Sequence, residues 1–191
     1  MDTDWSVELG ADDPALEFPW SSPESSYGYI DLLAHPEKLA EIPEAVPYPE
    51  LAQFLLALNA PSSPWLTVKC DVWFEDELGE AEEIYDACLK MCFYTDLISR
   101  DDVARFSFEQ HEQWVKSLAR QLSDIDDPPI ACEFIVRRCR YHKDSPADDG
   151  PAPGFYLTLY LFGYGNDEAQ ARTRWAEGLQ RVTSVLAAFK A

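Results

Sequence analysis

The chain has 191 residues, 47% of them hydrophobic and 13% aromatic, and 35 acidic against 15 basic side chains give it a formal net charge of −20. That length suits one domain able to bury roughly 70% of the surface its unfolded form exposes, and no apolar run approaches the ~18 residues that a membrane-spanning helix needs. Residues 1–100 hold 21 acids against 4 bases, whereas residues 101–191 hold 14 against 11. Such a field repels phosphate, so neither nucleic acid nor an anionic membrane is an expected partner.

The opening "MDTDWSVELGADD" is acidic and has neither a basic start nor an apolar stretch, so no signal peptide is expected and a cytoplasmic location is the default. The first 30 residues set Trp5, Phe18, Trp20, Tyr27 and Tyr29 among Pro14, Pro19 and Pro23. Proline at that spacing forbids a long helix, and the aromatics are those of a segment that packs, so an extended arm lying on the domain is predicted. "HPEKLAEIP" then reads as a short helix, opened by Pro36 and ended by Pro43.

"PELAQFLLALN" predicts the first long helix, with Pro49 at its start and Leu51, Phe54, Leu55 and Leu58 on one face. "WLTVKCDVWFED" alternates as a strand, with Leu66, Val68, Cys70, Val72 and Phe74 in one phase and Trp65, Thr67, Lys69, Asp71 and Trp73 in the other. The acidic turn "EDELGEAEE" leads into a second alternating segment, "IYDACLKMCFYTDLI", and the two form a predicted hairpin. Ser107 and Gln110 have capping-box spacing, and Phe108, His111, Val115, Leu118, Leu122 and Ile125 continue a helix until "DDPP". "PIACEFIVRRCRYH" and "GFYLTLYLFGYG" make a second strand pair around the loop "KDSPADDGPAP". The last helix opens at Asn166 or Asp167 and carries Trp175, Leu179, Val182, Leu186 and Phe189 down one side.

This order predicts an α+β fold: a four-stranded, mainly antiparallel sheet with helices on one face, arranged helix-strand-strand-helix-strand-strand-helix. One domain is expected over residues 1–191, with the arm and its short helix in 1–47 and the body in 48–191.

Motifs for chemistry are sparse. Cys70, Cys88, Cys92, Cys132 and Cys139 are odd in number and lie in strand-like segments, which suits reduced core thiols. Cys88 and Cys92 in "CLKMC" stand about 13 Å apart on a strand, too far for one zinc with ~2.3 Å bonds. Placing Gly79 at the sixth position of a calcium loop puts Phe74 where the first oxygen ligand belongs, so "EDELGEAEE" is read as a charged hairpin tip. His111 falls within an apolar helical stripe and is expected in the core. No GxSxG, GxxxxGK[ST] or complete GxGxxG occurs, and neither a cofactor nor a metal is expected.

The strand phases point to a binding surface. With Leu66, Val68, Leu89, Met91, Phe134, Val136, Leu157 and Leu159 toward the helices, the other face shows Trp65, Trp73, Cys88, Lys90, Tyr94, Glu133, Arg137, Tyr141, Tyr156, Tyr160, Phe162 and Tyr164. From this set Trp73, Tyr94, Arg137, Tyr141, Tyr156, Tyr160 and Tyr164 are the candidate binding residues, because tyrosine, tryptophan and isolated arginine are enriched at interfaces. The arm, or a second copy of the chain in a homodimer, is the other candidate cover for that face. In "RRCRYHK" both phases turn polar, which reads as a strand end guarded by charge and neutralised by "EDELGEAEE" or "DSPADDG". Function is expected to be non-enzymatic binding of a basic protein partner, inhibitor- or immunity-like. The alternative is a small-ligand or catalytic pocket on the same face.

Overall fold

The computed structural model describes residues 1–13, 15–21, 28–123, 129–142 and 150–189. The three long helices form where the 3 and 4 spacing of apolar residues predicts them. Helix α1 (Pro49–Leu58) starts on its proline and buries Leu51, Phe54, Leu55 and Leu58. Helix α2 (Phe108–Ser123) is capped by Ser107, whose Oγ accepts the Gln110 N–H at 3.2 Å. Its predicted extension to Ile125 lies outside the described residues, as do Pro14, Pro23 and Tyr27 of the arm and the "DSPADD" segment. Helix α3 (Glu168–Ala188) is capped by Asp167, which accepts from the Gln170 N–H at 2.8 Å. The expected short helix is a 3-10 turn at Pro36–Glu41.

The sheet is larger than the sequence pattern predicts. Strands β1 (Asp2–Glu8) and β2 (Ala15–Phe18) come from the segment read as an arm, and β3 (Trp65–Glu75), β4 (Leu89–Ser99), β5 (Ile130–Tyr141) and β6 (Ala152–Gly165) complete six. The order is β1-β5-β6-β4-β3, antiparallel among the last four, with β1 and β2 both parallel to β5. β1 and β2 lie end to end along one edge of β5, β1 opposite residues 131–137 and β2 opposite 138–141. The predicted four-stranded, mainly antiparallel sheet thus becomes a six-stranded mixed one. β5 would otherwise leave its outer row of N–H and C=O groups open, and the arm closes it.

All three long helices lie on one face, α3 over β6 and β4, α2 over β1 and β5, and α1 beside α3 and β3. The main core between them includes Phe54, Trp65, Phe93, Trp114, Phe134 and Trp175. α3 sits so close that a Cβ on Gly163 would meet the Trp175 backbone nitrogen at 2.3 Å and the Ala171 carbonyl at 2.5 Å. Only glycine fits that position of β6.

Two details of the hairpin depart from simple alternation. The β3–β4 register shifts between Thr67 and Cys70, and Asn59 holds the irregularity: its Oδ1 accepts the Thr67 N–H at 3.2 Å while its Nδ2 donates to Thr67 Oγ1 at 2.6 Å. The bulge rephases the strand. Trp65, expected on the open face, is fully buried in the helix-side core, and Val68, expected there, belongs to a second cluster on the opposite face. Residues 80–85, partly assigned to the second strand by their alternation, form a 3-10 turn instead, and β4 begins at Leu89.

Candidate functional site

The helix-free face of the sheet divides into three parts. At one end Phe18, Trp20 and Tyr29 pack over Leu16, Val68, Ile98, Cys139, Tyr141 and Tyr156 to make the second core. There the Trp20 Nε1–H donates to the Val68 carbonyl at 2.9 Å, and the Tyr141 hydroxyl donates to the Phe155 carbonyl at 2.7 Å. At the other end the 3-10 turn Glu80–Tyr85 lies across the sheet as a strap. The Tyr85 ring stacks on Tyr164 at 4.0 Å, and the Tyr85 hydroxyl donates to Asp2. Glu82 accepts from Lys90 Nζ at 2.8 Å and from the Tyr164 hydroxyl at 2.7 Å. The acidic turn is therefore not a free tip. Burial disfavours the Lys90 charge, but hydrogen bonds and the fields of Glu82 and Glu75 outweigh it and raise the ammonium above its ordinary range.

Between the two covered ends an aromatic strip stays open. It runs from Trp73 on β3 to Tyr94 on β4 at 6.5 Å, to Tyr160 on β6 at 5.9 Å, and along β6 to Phe162 at 6.2 Å. Trp73 is 36% exposed, and Tyr94, Tyr160 and Phe162 are half-buried. Strand pairing places them in contact: Trp73 is opposite Cys92, Asp71 opposite Tyr94, and Tyr94 opposite Tyr160. Burial, and then the carboxylates of Asp96 and Asp71, push the Tyr94 phenol up to about 12.

Carboxylates border the strip on both sides. Asp4, Glu8 and Glu133 stand on the β1–β5 side, where Ser6 Oγ donates to Glu133 at 3.1 Å, and Asp71 and Glu75 stand on β3. Two cations of this face, Arg137 and Lys90, are already held. Arg137 gives Nε and Nη2 to Glu8 at 2.7 Å and Nη1 to Thr158 Oγ1 at 3.0 Å, with its guanidinium carbon 5.9 Å from the Tyr160 ring centre. Lys90 lies 5.4 Å from the Phe162 ring centre and pairs with Glu75 and Glu82. Thr158 in turn donates to Asp96 Oδ1 at 2.8 Å, a carboxylate only 5% exposed whose pKa burial pushes up to about 6.

The structure thus brings Trp73, Tyr94, Arg137 and Tyr160 together on the open part of the face. Tyr141, Tyr156 and Tyr164 are 4%, 3% and 2% exposed, so they belong to the two covered ends and no partner reaches them without moving those covers. Alternation put them on the correct face, but the covers come from distant segments. Asp96 escaped sequence reasoning although it shares the phase of Tyr94 in β4, the signal that could have found it. Two arginines of β5 are paired by the N-terminal strands, Arg137 by Glu8 and Arg140 by Glu17, and the His142 ring lies against Glu17. "EDELGEAEE" instead serves Lys90, which corrects its expected role.

His111 is fully buried and its Nδ1 lies 2.8 Å from the Ser107 carbonyl, the place of a packed core histidine. Among the described residues no three His, Cys, Asp or Glu side chains are placed to hold a metal, and no helix is long and apolar enough to cross a membrane. No family model, no curated protein and no solved structure matches the chain.

Proposed function

We propose that the chain is a binding protein that docks a basic protein partner on the open part of its sheet, in the manner of an inhibitor. The observation that carries this reading is the strip Trp73–Tyr94–Tyr160–Phe162, left uncovered between two acidic borders, with the cations over Tyr160 and Phe162, Arg137 and Lys90, already paired. Aromatic rings supply area and accept cations on their faces, and the bordering carboxylates steer a basic surface toward them. Arg137 is engaged by both Glu8 and Thr158, which weighs against its use as an anion site.

The test is affinity capture from source lysate with the wild-type chain, with Trp73→Ala and with Phe162→Ser. A basic protein held in stoichiometric amount by the wild type and lost from both variants is the expected result. Equal capture by all three chains, or an acidic captured protein, overturns the reading.

A further inference from the structure

A cleft of about 530 Å³ opens between the edge strand β3 and residues 28–44, with Tyr94 of the strip in its lining. Its origin is local. The bulge at Thr67–Cys70 interrupts the outer edge of β3, and among the described residues no backbone hydrogen bond ties residues 28–46 to that strand. The chain arches over the edge instead, held at one side by the Trp20 indole bond to Val68 and at the other by Leu32 and Ala45 in the main core. The walls left by this arch are Trp20, Ile30, Leu32, Ile42, Val68 and Tyr94, an apolar and aromatic surface. Its volume falls in the roughly 300–1,000 Å³ range of small-molecule sites.

The polar groups of the lining have one dominant sign. Glu41, Glu44 and Asp71 stand in it against, among the described residues, a single amine, Lys69. Lys69 Nζ lies over the Trp20 ring, 4.8 Å from its centre. None of the three carboxylates forms an ion pair with a lysine, arginine or histidine among the described residues. Their field reaches the floor: the Cys70 thiol is pushed up to about 12 by burial first and then by Glu44, Asp71 and Asp96. An anion entering here would meet uncompensated negative charge, and a neutral ligand would leave the carboxylates without a partner. A cation with an apolar body satisfies both the walls and the acids, because an ammonium gains from the carboxylates while the apolar surface takes the body.

We propose that this cleft is a binding site for a small organic cation, an aromatic or aliphatic body bearing one protonated nitrogen. The cleft shares Tyr94 and Asp71 with the edge of the sheet-face strip, but its reading requires no protein partner there. Glu41 and Glu44 hold the charged nitrogen, Asp71 adds to the field at the β3 side, and the apolar walls take the body.

The test uses three indole probes of matched shape: tryptamine, the neutral alcohol tryptophol, and the anion indole-3-propionate. They are titrated into the full isotope-labelled chain, following amide and indole N–H signals by NMR. Tryptamine is expected to saturate with a Kd on the order of 100 µM, shifting the signals of Trp20, Val68 and Tyr94. Tryptophol should bind about tenfold more weakly, a difference of about 1.4 kcal/mol, and indole-3-propionate should not saturate. The double variant Glu41→Gln/Glu44→Gln should weaken tryptamine about tenfold while its free spectrum keeps the dispersion of the folded chain, and Asp12→Asn, on a distant turn, should leave the affinity unchanged. The proposal is overturned by equal binding of the three probes, by shifts that map away from the cleft, by no saturation with tryptamine at about 10 mM, or by a double variant that binds as tightly as the wild type. Because no protein partner is present, failure here leaves the sheet-face reading standing, and the variants of that test leave the cleft acids intact.

Discussion

Glu8 lies directly opposite Arg137 in the parallel register of β1 and β5, and its carboxylate takes two nitrogens of that guanidinium at 2.7 Å. The same edge repeats the device one strand later, where Glu17 is the register partner of Arg140. Charge that looks like a strand-end guard in the isolated sequence is the means by which the N-terminus finds its place on the sheet.

Breaking the pair at Arg137 should cost more than breaking it at Glu8. The Arg137 side chain is 13% exposed and also serves Thr158, whereas Glu8 is 37% exposed and water can replace its partner. Arg137→Ala is expected to destabilise by about 2 kcal/mol, Glu8→Ala by about 1, and the double-mutant cycle should return a coupling of about 1 kcal/mol. Urea unfolding of the four chains measures this, and strictly additive losses would show that the pair contributes nothing.

Asp96 should make stability depend on pH between about 4 and 6. Its carboxyl is raised from 3.8 to about 6, chiefly by burial, which corresponds to about 3 kcal/mol between its protonated and ionised forms. The folded state therefore binds this proton more tightly than the unfolded state. The stabilisation is complete at pH values below the unfolded pKa and is lost as pH rises through 6. Asp96→Asn cannot ionise and still accepts from Thr158, so it should be more stable than the wild type at pH 7 by about 1–3 kcal/mol, with the gain disappearing near pH 4. Unfolding curves across that range decide it. A difference independent of pH would rule out Asp96 as the source.

Gly163→Ala should be among the most damaging single-methyl additions in the chain. The new Cβ would press on the backbone of Trp175 and Ala171 in α3, and backbone cannot rotate aside as a side chain can. A loss of about 3 kcal/mol or more is expected by thermal or urea unfolding. A loss under about 1 kcal/mol would mean that α3 can lift off β6 cheaply.

The thiols should separate sharply in reactivity. Cys88 is exposed, whereas Cys92, Cys132 and Cys139 are buried and Cys70 is pushed up to about 12 by burial. A thiol-reactive chromogen at neutral pH should modify Cys88 rapidly and the others only on unfolding, so Cys88→Ser should abolish the fast phase. A fast phase that survives this change would place a second reactive thiol in the native state.

What the sequence by itself determined is whatever depends on neighbours three, four or two positions away. The apolar stripes of α1, α2 and α3, the Ser107 and Asp167 caps, the alternation of β4, β5 and β6, and the packed place of His111 follow from such local periods. The open-face positions of Tyr94, Arg137 and Tyr160 follow with them. Tertiary structure alone decided the rest. Trp5 and Val7 alternate with Asp4, Ser6 and Glu8, and Leu16 and Phe18 flank Glu17, but these runs are short and set among prolines, and they become strands because β5 offers an unpaired edge with arginines in register for Glu8 and Glu17. The bulge that buries Trp65 needs Asn59 from the end of α1, a contact that strand phase cannot foresee. The burial of Tyr141, Tyr156 and Tyr164 depends on covers supplied by Phe18, Trp20 and Tyr29 and by the Glu80–Tyr85 strap. An aromatic side chain has the same local pattern whether it meets water or another segment, so only the path of the distant chain separates the open strip from the covered core.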